Sequence, residues 1–331
     1  MKVKVGINGV GRIGRSFLRA VLAAKAPVEI VAMNDLASIE QIAHLLKYDT
    51  VLGPNPHEIR IEGNVLHIGH MSVRTSQQRD ITQLPWGEVG ADVIVESTGI
   101  FTDAAKAAGH LQSGARKVLI AAPATGEDIT IVYGVNHQKY DGNKHHIISN
   151  ASCTTNCLAP MVKVLHDGIG IESGWITTIH AFTQDQNLQD GFHKDLRRAR
   201  AAANNIVPTK TGAAKAIGLI VPELSGKLDG YSVRVPIITG SLVDFVVVLT
   251  RPATAQDVND LFKAAAQGEL KNVLRYTEDE IVSSDIVTNP ASCIFDAGLT
   301  KFIGASSLKV MGWYDNEWGF SNRLIDVVQL L

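Results

Sequence analysis

The chain has 331 residues, which is enough for about two domains and for a large buried core without disulfide bonds. Its 31 Lys and Arg residues nearly balance 33 Asp and Glu residues, so there is no bulk basic field of the kind that holds nucleic acid through its phosphates. The chain has three cysteines, an odd number that argues against a disulfide framework. Together with the lack of a signal peptide or a long apolar run, this predicts a cytoplasmic protein without a membrane segment.

The first half of the chain alternates strand and helix patterns. Apolar runs rich in β-branched residues predict strands, and several of them end in small residues, as in a parallel sheet covered on both faces. A Ser-x-x-Gln capping box that begins at Ser38 predicts the start of a helix. The predicted strands are residues 3–7, 28–35, 91–99 and 117–124, and a further helix is predicted over 13–25. This alternation predicts a Rossmann-type doubly wound α/β domain over residues 1–150.

A glycine motif follows the first predicted strand. Residues 9–14, G-V-G-R-I-G, fit the G-x-G-x-x-G pattern, and Asp35 ends the next strand at about the 20-residue distance that dinucleotide-binding folds show. Gly9, Gly11 and Gly14 would let the backbone approach a pyrophosphate at a helix N-terminus, where free N–H groups favour anions. Asp35 would accept hydrogen bonds from the adenosine ribose and repel a 2′-phosphate, so the pattern favours NAD over NADP. The alternative is a tight turn that serves packing alone.

The second half of the chain has a different pattern. Residues 231–251 alternate polar and apolar side chains and are rich in strand formers, which is typical of an antiparallel α+β layer. A capping box from Thr254 to Asp257 predicts a helix that runs to about Gln267. Because no linker or low-complexity tract separates the halves, a second, α+β domain with a mainly antiparallel sheet is predicted to follow directly, over residues 151–316.

Residues 150–160, NASCTTNCLAP, place two of the three cysteines one helical turn apart. They could form a metal site or a disulfide, provide a nucleophile, or be buried thiols without a chemical role. A structural zinc site needs four ligands, typically in pairs, and Cys153 and Cys157 have no second pair. Cys293 is distant in the sequence, among small polar residues. No metal site is therefore predicted.

Cys153 has features of a nucleophile. Ser152 is a natural N-cap for a helix predicted from Thr154 to Leu165 and bent at Pro160. Cys153 would lie in the first turn, where the helix dipole stabilises a thiolate. His180, at the end of a short β-branched strand, is a candidate base, and an imidazolium there would lower the thiol pKa further. A thiolate beside NAD would add to an aldehyde, and the adduct would lose hydride to become a thioester. Considered alone, both residues could equally be structural.

Several longer segments resemble one known family. They are NASCTTNCLAP, TTIHAFTQDQ, HKDLRRARAAA, TKTGAAKA, LDGYSVRVP and WYDNEWGFSNR. Together they resemble the phosphorylating glyceraldehyde-3-phosphate dehydrogenases of the bacterial glycolytic type, and the likeness covers essentially the whole chain. Two further segments, PIITGS and IVSSDIV, most resemble the actinobacterial members. The resemblance implies NAD-dependent oxidation of D-glyceraldehyde 3-phosphate, with inorganic phosphate, to 1,3-bisphosphoglycerate through a thiohemiacetal and a thioester on Cys153.

The resemblance also implies roles for individual residues. Cys153 would be the nucleophile and His180 the base. Thr183 and Arg234 would bind the substrate phosphate, with Asp185 orienting the arginine. Inorganic phosphate would be bound by Ser152, Thr154, Arg198, Thr211 and Gly212. NAD would be bound by Asn8, Gly9, Gly11, Arg12, Ile13, Gly14, Asp35, Arg79, Ser97, Thr98, Gly99 and Asn316.

The resemblance further implies how the domains and subunits assemble. Residues 182–205 would form an S-shaped loop at a subunit interface of a homotetramer. The helix over residues 317–331 would pack back on the cofactor domain. No nucleic-acid or membrane partner is implied.

Three alternative functions are weighed against this one. Erythrose-4-phosphate dehydrogenase shares the scaffold but releases an acid, and the phosphate-site residues argue against it. A cysteine hydrolase would use the glycine loop only structurally, and Asp35 and Asn316 argue against that. A non-enzymatic binding protein would need neither Cys153 nor NAD, and no sequence feature favours it.

Overall fold

The glycine motif lies where the sequence predicts it, between a buried strand, β1 (Val3–Asn8), and a helix, α1 (Arg12–Ala24). The computed structural model describes residues 2–331 and divides them into two units. The first unit runs to Ala151 and also contains Ser321–Leu331, whereas the second is Ser152–Phe320. Each unit has its own sheet.

The described part of the first unit contains a nine-stranded sheet in the order β3-β4-β5-β2-β1-β6-β7-β9-β8. Besides β1, its strands are β2 (Val28–Asn34), β3 (Ile59–Glu62), β4 (Val65–Ile68), β5 (Met71–Ser76), β6 (Val93–Glu96), β7 (Lys117–Ile120), β8 (Ile129–Thr130) and β9 (Ile147–Ser149). Neighbours from β5 to β8 along this order run parallel, and β3, β4 and β5 pair antiparallel. Strands β6 and β7 are buried throughout, as expected of a sheet covered on both faces. The doubly wound, Rossmann-type prediction is confirmed.

The helices of the first unit include those predicted over residues 13–25, after the capping box at Ser38 and over 317–331, together with three short helices that the sequence does not predict. They are α1, α2 (Ile39–Lys47), α3 (Trp86–Val89), α4 (Ala104–Ala107), α5 (Gly109–Gln112) and, from Ser321 onward, α9 (Trp318–Leu330). The capping box is present, because Ser38 Oγ accepts from Gln41 N and the Gln41 side chain accepts from Ser38 N. The sequence does not predict β3, β4, β5, β8 or β9, and in β3 the exposed residues 60–62 give no apolar run. No helix within residues 2–331 is long and apolar enough to cross a membrane.

The second unit is α+β, as predicted. Its described residues form an eight-stranded sheet in the order β11-β12-β10-β13-β17-β15-β14, with β16 paired to β17. The strands are β10 (Ile171–Ala181), β11 (Val207–Lys210), β12 (Leu228–Val235), β13 (Ser241–Leu249), β14 (Leu274–Thr277), β15 (Cys293–Asp296), β16 (Lys301–Ile303) and β17 (Ser307–Tyr314), and the helices are α6 (Cys153–Gly168), α7 (Ala213–Ile220) and α8 (Ala255–Gln267). Pairing is mainly antiparallel, with β10–β12 and β14–β15 parallel. Thr254 and Asp257 form the predicted capping box of α8.

Helix α6 packs at the buried centre of the second unit. It passes through Pro160 and extends three residues beyond the predicted end, to Gly168. Gly312 on β17 faces this helix, and a Cβ at that position would lie only 2.7 Å from Met161 Sδ and from Cys293 Sγ. Close approach therefore requires glycine there. Cys157, which is fully buried, packs in the same region, and this packing fixes the helix whose first residue is Cys153.

Candidate active site

The N-terminus of α6 presents Cys153. Ser152 caps the helix, since its Oγ accepts a hydrogen bond from Thr155 N at 3.0 Å and lies 2.7 Å from Thr155 Oγ1. Ala151, just before the cap, has a φ of 56°, in the left-handed region that a residue with a Cβ occupies at a cost of roughly 1–2 kcal/mol. Strained backbone of this kind concentrates at functional sites, so it marks this turn as a candidate reactive position.

His180 lies one residue before the end of β10, as predicted. Its Nε2 is 3.4 Å from Cys153 Sγ, which is within hydrogen-bonding distance for sulfur. Its Nδ1 is 2.6 Å from Ala181 O, which only accepts, and 3.1 Å from Arg234 Nη1, which only donates. We assign the proton to Nδ1 because the contact with Ala181 O is the shorter one and needs that proton, whereas Arg234 Nη1 has other acceptors in Thr183 and Ala181. Nε2 therefore directs its lone pair at the thiol. The structure brings the predicted nucleophile and base into direct contact.

Burial controls the protonation of this pair. Burial, followed by the positive charge of Arg234, lowers the pKa of His180 to about 3. Burial also raises the pKa of the Cys153 thiol, although Arg234 and the backbone N–H groups of the first helical turn act in the opposite direction. The helix N-terminus thus favours the thiolate, as predicted, but burial outweighs it. The predicted imidazolium is wrong, because at neutral pH the resting pair is a neutral thiol and a neutral imidazole.

Arg234, on β12, lies beside this pair. Its Nη1 donates to Thr183 Oγ1 at 2.8 Å and to Ala181 O at 3.2 Å. Its Nε is buried and has no hydrogen-bond partner among the described residues. A buried, unpaired guanidinium donor is costly, and an anionic oxygen would satisfy it. Arg234 and Thr183 are therefore suited to hold a phosphate group.

Asp185 bonds directly to Thr183 and Arg198 rather than to Arg234. Thr183 Oγ1 donates to one carboxylate oxygen, and Arg198 Nη1 donates to the other at 2.6 Å. Although burial alone would raise it, the pKa of Asp185 is lowered by the hydrogen bond from Thr183 and by the charges of the two arginines. Asp185 therefore acts on Arg234 through Thr183, which bonds both. The hydrogen bond from Arg198 to Asp185 also shows that Arg198, rather than the adjacent Arg197, belongs to this cluster.

The other predicted phosphate-site residues are held by local hydrogen bonds. Arg198 Nε donates to Thr209 Oγ1 at 2.9 Å. Thr211 Oγ1 accepts from Ala213 N at 3.2 Å, and Gly212 is the N-cap of α7 without a side-chain capping bond. Apart from that of Ala213, the N–H groups in the first turn of α7 have no side-chain cap and are suited to bind an anion. No hydrogen bond within the described residues joins Thr211 or Gly212 to Arg198.

Thr154 is placed differently from the prediction. Its hydroxyl is buried and shares a 2.8 Å hydrogen bond with Tyr314 OH, which shares another of 2.8 Å with Thr178 Oγ1. The hydroxyl is thus engaged in the core, and both this hydroxyl and the backbone N–H of Thr154 also act on the Cys153 sulfur, where they lower the pKa of the thiol against the larger effect of burial. Tyr314, whose ring lies edge-on to His180 at 5.9 Å between centroids, was not found from the sequence. Buried and half-buried residues alternate along β17, and Tyr314 is the last of the buried ones, but its contact with Thr154 has no local signal in the sequence.

Asn316 is buried and fixed in orientation. Its Oδ1 accepts from Gly240 N at 3.2 Å and from Ser241 Oγ at 2.9 Å. Since a backbone N–H only donates, these bonds identify the oxygen of the amide and leave Nδ2 as the donor. A fixed amide donor is suited to recognise a carboxamide, which agrees with the predicted role of Asn316.

The glycine motif of the first unit forms a cradle for a pyrophosphate. Gly9 has a φ of 91°, and a Cβ on Gly14 would lie 2.2 Å from Gly9 O, so neither position accepts another residue without a shift. A Cβ on Gly11 would meet nothing within 4 Å, and α1 has no side-chain cap there. The open N-terminus of α1 therefore fits an anionic group. Asp35 Oδ2 accepts from Val10 N at 2.6 Å, which places the carboxylate against this loop.

The other residues that the sequence predicts to bind the cofactor differ in their surroundings. Ser97 donates to Gly9 O at 2.7 Å, Gly99 has a φ of 73°, Ile13 is half-buried, and Arg79 is exposed. Arg12 forms an ion pair with Asp49, so its side chain is already paired beside the helix N-terminus. Asn8 and Thr98 are bonded to Glu96, and the Asn8 amide faces the protein interior. The residues present fit NAD, but Asn8 supports the loop from behind.

The other cysteines are not placed as nucleophiles, and no cluster of metal-ligating side chains is found within residues 2–331. All three cysteines, which lie within the described residues, are free, and Cys157 and Cys293 are buried. Burial raises the pKa of the Cys157 thiol well above its usual value, which keeps it protonated. Residues 2–331 contain no group of three or more His, Cys, Asp or Glu side chains placed to hold a metal ion.

Comparison with known proteins matches both units. A family model described as "Glyceraldehyde 3-phosphate dehydrogenase, NAD binding domain" matches residues 3–104, and one described as "Glyceraldehyde 3-phosphate dehydrogenase, C-terminal domain" matches residues 152–316. Glyceraldehyde-3-phosphate dehydrogenase of Mycobacterium avium is 60% identical over 337 residues, which cover 100% of this chain and 99% of the relative. Glyceraldehyde-3-phosphate dehydrogenase 1 of Streptomyces avermitilis is 58% identical over 331 residues, with the same coverage.

Proposed function

The chain belongs to the glyceraldehyde-3-phosphate dehydrogenase family, and from that premise we propose how its residues carry out the phosphorylating, NAD-dependent oxidation of D-glyceraldehyde 3-phosphate. The observation that carries the proposal is the 3.4 Å contact between Cys153 Sγ and the unprotonated Nε2 of His180. The buried, unpaired Nε of Arg234 beside that contact supports the choice of a phosphorylated substrate.

Acylation begins from the neutral pair. His180 Nε2 takes the thiol proton as Cys153 Sγ bonds to the aldehyde carbon, and it then passes that proton to the carbonyl oxygen, which gives a thiohemiacetal. The glycine cradle and Asn316 are the proposed ligands of NAD⁺, which would supply the acceptor for the hydride of this adduct. His180 Nε2 removes the hydroxyl proton as the adduct is oxidised, and Cys153 is left as a thioester.

Phosphorolysis completes the cycle. Inorganic phosphate attacks the thioester carbon and releases its own proton to solvent, the carbon–sulfur bond breaks, and Cys153 Sγ recovers from His180 the proton taken from the thiohemiacetal hydroxyl. The proposed phosphate ligands are Ser152, Arg198, Thr211, Gly212 and the backbone N–H of Thr154. An acyl phosphate retains oxidation energy that hydrolysis would release, so the burial of His180 beside a half-buried Cys153 is consistent with restricted access of water.

The reaction is tested by NADH absorbance at 340 nm with glyceraldehyde 3-phosphate and NAD⁺, with and without phosphate or arsenate. Steady NADH production that requires the anion is expected. A single burst that does not continue when the anion is added would contradict the phosphate site. Acid release without NADH would instead favour a cysteine hydrolase, and faster turnover of erythrose 4-phosphate would favour the related dehydrogenase.

Thr183→Val is expected to lower kcat/KM for glyceraldehyde 3-phosphate by about 10-fold to 10²-fold, because it removes a hydrogen bond to a charged ligand without moving any charge. Unphosphorylated glyceraldehyde does not use this contact, so its kcat/KM should change by less than about threefold. Steady-state kinetics with both aldehydes measure the difference. Equal losses with the two substrates would contradict phosphate binding by Thr183 and point to a general effect on the site.

We also propose a homotetramer in the cytoplasm. In the loop over residues 182–205, three large apolar side chains are more than four-fifths exposed: Leu188, Phe192 and Leu196. Large exposed apolar side chains concentrated in one segment are typical of protein interfaces, and a second copy of the chain is the occupant that the family predicts. Three free thiols agree with a reducing compartment. The proposed domain limits are 1–150 for NAD binding, with the helix over 317–331, and 151–316 for catalysis.

A further inference from the structure

A buried network of polar side chains lies behind the glycine cradle and takes no part in the reaction described above. It joins five side chains that are at most 3% exposed: Asn8, Asn34, Trp86, Glu96 and His110. They come from β1, β2, α3, β6 and α5, all within the first unit. Burying this many polar groups is costly unless each is satisfied, so the network calls for an explanation.

Glu96 is the centre of the network. Among the described residues, its carboxylate accepts from Asn8 Nδ2 at 2.6 Å, His110 Nε2 at 3.0 Å, Thr98 N at 2.8 Å and Thr98 Oγ1 at 2.5 Å. A carboxylate has about four acceptor positions, and these four donors occupy them. No lysine or arginine of residues 2–331 forms a salt bridge with it. Hydrogen-bond donors, rather than an opposite charge of Lys or Arg, stabilise this buried group.

Trp86 fixes the direction of the network. Its indole Nε1–H, which can only donate, points at His110 Nδ1 at 3.0 Å. His110 Nδ1 is therefore the acceptor, and Nε2 carries the proton that is donated to Glu96. A proton on both ring nitrogens would face the indole N–H with a second donor. The chain of donation thus runs from Trp86 through His110 to Glu96.

Glu96 ties together the two loops that form the cofactor cradle. Asn8, bonded to one carboxylate oxygen, immediately precedes Gly9, and Thr98, bonded to the other, follows Ser97. The Gly9 and Thr98 backbones are in close approach, since a Cβ on Gly9 would lie 2.6 Å from Thr98 N. Asn34 Nδ2 donates to Asn8 Oδ1 at 2.8 Å, so both ends of the Asn8 amide are engaged. The position of Gly9 is therefore set through Glu96.

We propose that Glu96, oriented by His110 and Trp86, is a positioning residue that holds the Asn8–Gly9 and Ser97–Thr98 loops in the geometry that binds the cofactor. The inference rests on the NAD-binding role of the glycine cradle and extends it to a carboxylate that does not touch the cofactor. Affinity for NAD⁺ then depends on a hydrogen-bond chain that begins at Trp86, on the far side of the network.

The substitution Glu96→Gln tests this role, because glutamine has nearly the same shape as glutamate but carries an NH₂ group in place of one carboxylate oxygen. The amide can accept from Thr98, but its NH₂ group would face the donors of Asn8 or His110, so the loops must shift. The Kd for NAD⁺, measured by calorimetry, is expected to rise by about 10-fold to 10²-fold. At saturating NAD⁺, kcat for glyceraldehyde 3-phosphate should stay within about threefold of wild type.

Lys117→Met is the matched control for stability. Lys117 is also buried in the first unit, where its Nζ donates to Gly142 O at 2.5 Å and His145 O at 2.6 Å, away from the cradle. This variant should lower the melting temperature without changing the Kd for NAD⁺. If both variants weaken NAD⁺ binding in proportion to their loss of melting temperature, the effect is general destabilisation and the proposal is wrong.

Trp86→Phe keeps the proposal testable should Glu96→Gln fail to fold. It removes the indole N–H and also leaves a cavity, since phenylalanine is smaller than the fully buried tryptophan, so the melting temperature should fall. We expect the Kd for NAD⁺ to rise by about threefold with the fold retained. Because Trp86 acts through Glu96, adding Trp86→Phe to Glu96→Gln should give no further rise. Wild-type Kd values in both single variants would overturn the proposal. Failure of the wild-type chain itself to bind NAD⁺ would instead contradict the proposed function.

Discussion

Cys153→Ala is expected to lower turnover by roughly 10⁴-fold or more, because the substitution removes the atom that forms the thiohemiacetal and the thioester. The Kd for NAD⁺ should stay within about twofold of wild type, since the glycine cradle and Asp35 lie in the first unit. Ser152 still caps α6 through Thr155, so the fold of the helix N-terminus should be retained. Steady-state NADH production and NAD⁺ calorimetry on one preparation give both values.

Cys157→Ala is the matched control for this prediction. Cys157 lies one turn further along the same helix, is fully buried, and donates to Gly312 O at 3.5 Å instead of facing His180. Its loss should lower stability through a small cavity and leave turnover within a few-fold of wild type. Near-normal turnover in Cys153→Ala, or a comparable loss in Cys157→Ala, would contradict the assignment of the nucleophile.

Local sequence signals were sufficient wherever the determining contacts are close in the chain. The glycine motif predicts a strand, a turn and a helix within 25 residues, and β1 and α1 occupy those positions. The capping boxes at Ser38 and Thr254 each close within three residues, and both are formed. The same holds for Ser152 at α6, because capping depends on the next few N–H groups alone.

Features that depend on distant partners could not be predicted from the sequence. Thr154 is predicted to be a phosphate ligand, but its hydroxyl forms a hydrogen bond with Tyr314, 160 residues away. Asn8 is predicted to be a cofactor ligand, but its side chain forms a hydrogen bond with Glu96, 88 residues away. Neither pairing has a local signal. The same reasoning explains why an imidazolium was expected at His180, since only the folded structure shows how deeply burial and Arg234 disfavour its charge.

His180→Asn is expected to slow acylation by about 10²-fold to 10⁴-fold, the usual contribution of a general base. Asparagine can still donate to Ala181 O but cannot accept the thiol proton. The rate is measured as the pre-steady-state burst of NADH in stopped flow. His166→Asn is the control, because His166 lies on α6 in the same unit and bonds Ile171 N, far along the helix from Cys153. A burst within a few-fold of wild type in His180→Asn would contradict the role of base.

The pH dependence distinguishes a base from a merely structural histidine. With a pKa of about 3, His180 is neutral throughout pH 5–8, so the wild-type burst rate should depend only weakly on pH in that range. Without the base only the thiolate attacks, and burial raises the pKa of Cys153. The His180→Asn burst rate should therefore rise by about tenfold per pH unit. Identical pH slopes in the two proteins would show that His180 does not receive the proton.

Acid stability gives an independent measurement on the same variant. The folded pKa of His180, about 3, lies below its ordinary value of 6.5, so between these pH values the unfolded chain binds a proton that the folded chain does not. The unfolding free energy of the wild type should therefore fall as pH drops through this window, by up to about 1.4 kcal/mol per pH unit. Above pH 6.5 His180 is mostly neutral in both states, so it should not make the unfolding free energy depend on pH there. His180→Asn lacks the group, so its melting temperature should decline less steeply between pH 6 and pH 4. An equally steep decline would mean that His180 is protonated in the folded state, and the neutral-pair mechanism would then be wrong.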